Sequence, residues 1–132
     1  MVQCLGRLLV CVLLTVGVAA GANAAGMSEA AFSRGIALTE DGSYDEAIKL
    51  FRLAVELSPD VALYHEVLGD AHVAIGGVDS YLLAKAEYEI ALQLEPGRRR
   101  AREGLAQMAL TTGRFGEALD VLESLTFEER VQ

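Results

Sequence analysis

An all-α fold, a solenoid of about three antiparallel helix pairs, is predicted by three features of the 132-residue sequence. From Ser28 onward, apolar residues recur at the three-and-four spacing of a helix, between short breaks. The only two prolines, Pro59 and Pro96, stand 37 residues apart, and each closes a run of the same shape. Within those runs alanines return at fixed places among large residues, which leaves room for a neighbouring helix to approach.

The first residues are set apart from this pattern. Met1 to Arg7 carries one positive charge and leads into a 13-residue apolar run from Leu8 to Ala20. Ala22-Asn23-Ala24 then has the small-x-small form of an export cleavage site. The run is too short to cross about 30 Å of hydrocarbon at about 1.5 Å per residue. The expected division is an export signal at 1–24 and a helical domain at 25–132; a retained membrane anchor and a buried helix are the alternatives. Both cysteines, Cys4 and Cys11, fall in the first part, so the domain is expected to have no thiol chemistry. Neither stands just after the apolar run, where a lipid anchor would need it.

The helices follow in order. Ser28 to Asp41 opens the first pair, and Asp41-Gly42-Ser43 breaks it. Ser43 and Glu46 have the spacing of a capping box for the run that ends at Pro59. Asp60, following Pro59, is placed to cap the next helix, which extends to about Gly76. The run Tyr81 to Pro96 repeats the run Tyr44 to Pro59, so Tyr44, Ala47, Phe51 and Ala54 fall on Tyr81, Ala84, Tyr88 and Ala91. Gly76-Gly77-Val78-Asp79 makes this copy three residues longer than a 34-residue repeat; the expected result is a longer loop between the paired helices. A last pair runs from Gly97 to Thr112 and, after Gly113, from Phe115-Gly-Glu-Ala118 to Leu122 and Leu125. Gly35, Gly69 and Ala106 are the close-approach positions of the three first helices. A helical glycine costs about 0.5–1 kcal/mol relative to alanine, so Gly35 and Gly69 call for a packing reason.

The series Gly35-Tyr44-Ala47-Phe51-Ala54-Pro59, repeated as Gly69-Tyr81-Ala84-Tyr88-Ala91-Pro96 and then as Ala106-Phe115-Ala118-Leu122-Leu125, resembles the tetratricopeptide repeat family. The resemblance spans 28 to about 129, as copies at about 28–61, 62–98 and 99–132. It implies a curved stack that binds another protein or a peptide. Ala31, His65 and Arg102 stand where the family often has tryptophan, so lighter packing is expected there.

Chemistry finds little support. His65-Glu66 begins like a zinc-protease motif, but Gly69 occupies the place of the second histidine. His72 is seven residues on, about 10.5 Å along a helix and too far to share a metal with His65. Both histidines map to inward-packing positions. No serine is paired with a base; Ser28, Ser43 and Ser80 stand where caps are expected. Glu87 and Glu89 flank Tyr88 but point to different sides. No cofactor, metal or catalytic residue is expected.

Without residues 1–24 the chain holds 10 basic and 19 acidic side chains, a net −9. That charge disfavours nucleic acid and anionic lipid as partners, leaving membrane contact to a retained N-terminal segment. The resemblance implies that the first helix of each pair lines a concave surface. Glu29, Phe32, Ile36, Thr39 and Glu40 would face it from copy one, Leu63, Glu66, Asp70 and Val73 from copy two, and Arg100, Glu103, Gln107 and Leu110 from copy three. Glu66 and Asp70 read either as a carboxylate pair for a basic segment or as a solvated face. Arg98, Arg99, Arg100 and Arg102 read as an acid-docking patch or a solvated turn, with Arg99–Glu103 pairing at four-residue spacing. The lysine, arginine and asparagine set with which some family members grip a C-terminal carboxylate is missing, since Phe32, Ile36, Glu66 and Asp70 hold those places. The leading expectation is therefore an exported adaptor or scaffold, in a bacterial periplasm or outside the cell. A self-assembling repeat joined through an uncovered last helix (Leu119, Val121, Leu122, Leu125, Phe127) is the alternative, and a small metal-dependent hydrolase or metal carrier the distant one.

Overall fold

The computed structural model describes residues 23–121 and 123, and every regular element among them is helical. Helix α1 covers described residues 23–40. It is followed by α2 (Tyr44–Leu57), α3 (Ala62–Ile75), α4 (Val78–Leu94) and α5 (Arg99–Thr111). A last helix, α6, covers described residues 115–121. Helix α2 packs on α3, α3 on α4 and α4 on α5, and α3 also touches α5, so these helices stack side by side. No described helix is long and apolar enough to cross a membrane.

The second helices α2 and α4 bury the faces that the spacing predicts. Ala47, Phe51 and Ala54 are fully buried on α2, and Ala84, Tyr88 and Ala91 nearly so on α4. Burial of one large ring contributes about 1.5–3 kcal/mol. The glycines explain how the rings fit. A Cβ on Gly35 would stand 2.5 Å from Cε1 of Phe51, and one on Gly69 2.8 Å from Cε1 of Tyr88. Gly104 of α5 closes on Tyr88 from another side, where a Cβ would lie 2.5 Å from the ring. Gly104 was not among the close-approach positions read from sequence, because it lies two residues before Ala106, outside the repeat alignment.

The caps differ from expectation. Ser43 precedes α2 but makes no side-chain cap bond, so the capping box with Glu46 does not form. The turn is closed by backbone instead: Gly42 adopts φ +77°, and the Ser43 N–H reaches the Leu38 carbonyl at 2.9 Å. Gly113 (φ +75°) repeats this, with Arg114 N–H bonded to the Ala109 carbonyl at 2.8 Å. Val61, not Asp60, stands at the N-cap of α3. Ser28 lies inside α1 and donates to the Ala25 carbonyl, while its Oγ accepts from Ser58 at 2.9 Å. Ser80 lies inside α4.

The three extra residues of copy two do not lengthen a loop. Only Gly76 and Gly77 separate α3 from α4, both with positive φ. Val78, Asp79 and Ser80 add nearly a turn to the start of α4, which has 17 residues against 14 in α2. Extending a helix satisfies each added backbone N–H and C=O locally, which an open loop does not.

Asn23 and Ala24, expected to end an export signal, belong to described α1. The apolar run at 8–20 and the terminal residues Leu122, Leu125 and Phe127 lie outside the described residues. In α6, Ala118 is buried, but Phe115 is 69 % exposed. Its counterpart Tyr81 packs against the cluster that includes Met108 of α5. No first helix follows α6 among the described residues to cover Phe115 in the same way.

Candidate functional site

The first helices α1, α3 and α5 line two adjoining depressions. One, of about 390 Å³, is bounded by Ile36, Thr39, Glu40, Tyr44, Val67, Asp70, Ala71, Ala74 and Arg100. The other, of about 290 Å³, is bounded by Asp70, Val73, Tyr88, Arg100, Glu103, Gly104 and Gln107. Asp70 and Arg100 belong to both, so they stand at the junction. Helical periodicity brings these residues to one face: Asp70 and Val73 on α3, and Arg100, Glu103, Gly104 and Gln107 on α5.

Several side chains expected on this surface are engaged elsewhere. Phe32 packs inward, its ring 5.7 Å from Phe51 and 4.8 Å from Tyr64. Apolar area on α1 is better covered by the neighbouring helices than left facing water. Glu66 is only 4 % exposed and receives both Nε (2.9 Å) and Nη2 (3.1 Å) of Arg98. Arg98 also bonds Glu95 at 3.0 Å, and the bond to Glu66 is the main force holding its guanidinium protonated beyond the ordinary arginine range. Glu66 and Asp70, read from sequence either as a carboxylate pair for a basic segment or as a solvated face, are each met by an arginine, and the buried Glu66 is not part of a solvated face. Glu29 and Glu40 of α1 are exposed, and so are Leu63 and Leu110.

The arginine-rich turn is neither a bare docking patch nor a purely solvated one. Arg99 bonds Glu103 at 2.7 Å, the four-residue pairing read from sequence. Arg102 donates to the Pro96 carbonyl. Arg100 places Nε 2.8 Å from Oδ2 of Asp70, yet it remains 70 % exposed. The other Asp70 oxygen accepts from the Tyr88 hydroxyl at 2.6 Å. Burial first, and then the bond to Asp70, raise the Tyr88 phenol well above the ordinary tyrosine range, so it stays a donor.

Both histidines are buried structural groups. His65 sets Nδ1 2.7 Å from Oε2 of Glu87 and Nε2 2.9 Å from the Pro59 carbonyl, tying α3 to α4 and to the preceding turn. At a position where the family often has tryptophan, these bonds replace aromatic bulk. His72 is 7 % exposed. Among the described residues, no three His, Cys, Asp or Glu side chains converge as a metal site.

A third hollow, of about 260 Å³, lies between α4, α5 and α6, with Tyr81, Leu82, Leu105, Met108 and Val121 in its wall and Lys85, Glu89, Arg114 and Glu117 also lining it.

Known proteins match this arrangement. The family model described as tetratricopeptide repeat matches residues 18–62 and 66–129. The human protein O-mannosyl-transferase TMTC1 is 36 % identical over 86 residues, 62 % of this chain and 9 % of that protein. Human anaphase-promoting complex subunit 7 is 37 % identical over 71 residues, 54 % of this chain and 12 % of that protein. The chain thus spans about a tenth of the length of these relatives. Among solved structures, the second TPR of Spaghetti (RPAP3), bound to the HSP90 peptide SRMEEVD, superposes with a TM-score of 0.74 at 19 % identity, covering 82 % of this chain and 96 % of that one. MamA superposes with a TM-score of 0.72 at 23 % identity, covering 78 % and 59 %. With the repeat model matched over most of its length and the helix pairs stacked on their glycines, this chain belongs to the tetratricopeptide repeat family.

Proposed function

We propose that the chain is a non-catalytic docking module that holds a protein or peptide partner on the surface lined by α1, α3 and α5. The observation that carries this reading is the pair of adjoining depressions that share Asp70 and Arg100 and are lined by apolar and polar side chains together. Such a surface binds by shape and hydrogen bonding and has no nucleophile–base pair to react with. Placing a photocrosslinking side chain at Gln107 tests it: adducts are expected from Gln107 and not from exposed Lys49 on α2, which lines neither depression. Equal yields from the two positions would overturn it.

The acidic HSP90 peptide named for the matched structure is not the proposed ligand. Ile36 and Asp70 border the groove here and Glu66 is consumed by Arg98, so the cationic clamp is absent. Net charge likewise argues against nucleic acid. Export to the periplasm or the cell exterior is part of the proposal, resting on the apolar run and Ala22-Asn23-Ala24; a mature protein beginning at Ala25 is the expected result of N-terminal sequencing.

Self-association is the second reading, favoured by Phe115 and Leu119, 69 % and 58 % exposed on α6. Sedimentation that shows a monomer at all concentrations would remove it.

A further inference from the structure

The junction of the two depressions holds an acceptor in an unusual state. Oδ2 of Asp70 is shut off from solvent but receives no aligned hydrogen bond. Its neighbour is Arg100, whose Nε lies 2.8 Å away in charge contact while most of the side chain stays in water. A buried carboxylate oxygen without a donor is poorly satisfied, and an exposed ion pair is weakly held. Tyr88 occupies Oδ1 from the core side, so Oδ2 is the oxygen left for an incoming group. In the same depression Glu40 is exposed and has no ionic partner among the described residues.

We propose that the groove accepts a basic segment of its partner, and that Arg100 is an internal stand-in for that segment's lysine or arginine, displaced from Asp70 on binding. This rests on the reading of the groove as the docking surface and names the chemistry that it selects. The partner's cation would take the place over Oδ2, supply the aligned donor that Arg100 does not, and place a second positive charge near Glu40. Arg100 has 70 % of its side chain exposed and can swing into solvent without opening the core. The alternative role for Arg100, direct contact with an acidic partner, predicts the opposite response to its removal.

The test uses the full chain and a fluorescein-labelled ten-residue peptide carrying two lysines in an alanine, leucine and serine background, with a glutamine version as control. Fluorescence anisotropy is expected to show preference for the lysine peptide. Arg100→Ala should tighten its binding by about two- to five-fold, the scale set by one exposed ion pair. Asp70→Asn, which keeps an acceptor for Tyr88, should remove the preference. Weaker or unchanged binding by Arg100→Ala, equal binding of both peptides, or no binding by either protein would overturn the proposal. Ala74→Trp, which puts a bulky ring into the depression that Ala74 lines, separates the two readings. If it blocks binding while Arg100→Ala fails to tighten, only the stand-in role falls. If lysine-peptide binding survives Ala74→Trp, the groove itself is not the site.

Discussion

The two seams of the stack use the same backbone plan with opposite chemistry. In the first, Phe32 and Val61 pack against the Ala31, Ala54 and Tyr64 cluster, and the central ring is Phe51. In the second, the equivalent positions are Glu66 and Arg98, joined by two hydrogen bonds, and the central ring is Tyr88. Ala31 and Leu50 of copy one become His65 and Glu87, which also bond. Small residues and ring size are kept because they set how closely helices approach. The polar groups change together because each, once buried, needs a partner. The Tyr88 hydroxyl needs Asp70, and Asp70 draws Arg100 into the groove.

This comparison can be broken most severely at Arg98. Arg98→Met should destabilise by about 3–5 kcal/mol in urea unfolding, because Glu66 stays buried without its cation. Val61→Met, at the equivalent and half-buried place in the apolar seam, should cost less, about 1–3 kcal/mol at most for its added volume. Comparable losses would show that the second seam does not depend on its ion pair.

Next comes the shared feature. Gly35→Ala and Gly69→Ala should each cost about 1–3 kcal/mol, measured as a lower urea midpoint, since the added methyl meets a confined ring. A neutral or stabilising result at either site would mean that the ring there can withdraw.

The hydroxyl is a smaller test. Tyr88→Phe should cost about 1 kcal/mol by leaving Asp70 without its donor. Phe51→Tyr should also destabilise, by about 1–3 kcal/mol if its hydroxyl finds no acceptor in the apolar seam. Stabilisation by Tyr88→Phe would contradict the account of that network.

The smallest effect concerns pH. Burial lowers the His72 pKa from 6.5, with Glu87 opposing and Arg52 adding to the shift. The unfolded chain therefore takes up this proton first as pH falls. His72's contribution is complete above about pH 6.5 and declines toward its lower folded pKa. His72→Gln should flatten that decline in thermal melts between pH 7 and 5, by a fraction of the roughly 1.4 kcal/mol per pH unit that one proton can give. An unchanged slope would exclude His72 as its source.

Much of the architecture was legible because helix periodicity and small-residue spacing are local. The second helices α2 and α4 bury the faces read from Tyr44-Ala47-Phe51-Ala54 and its copy. The insertion was misplaced because three extra residues can be counted without showing whether they extend a turn or a helix. Ser43 was misread because Gly42 already closes the turn through backbone bonds. The groove was legible as a face but not in its charge. Ile36, Thr39, Glu40, Asp70, Val73, Arg100, Glu103 and Gln107 line it, whereas Phe32 and Glu66 are drawn inward.

The amino-acid order alone determined that the chain pairs helices and where glycine and alanine let them meet, since those properties repeat within a few turns. Only the tertiary structure decided that Arg98 reaches Glu66 across 32 residues, that His65 bonds Glu87, and that Arg100 covers Asp70. Charges act through space, so their partners are set by which turn folds over which helix, and no local spacing records that.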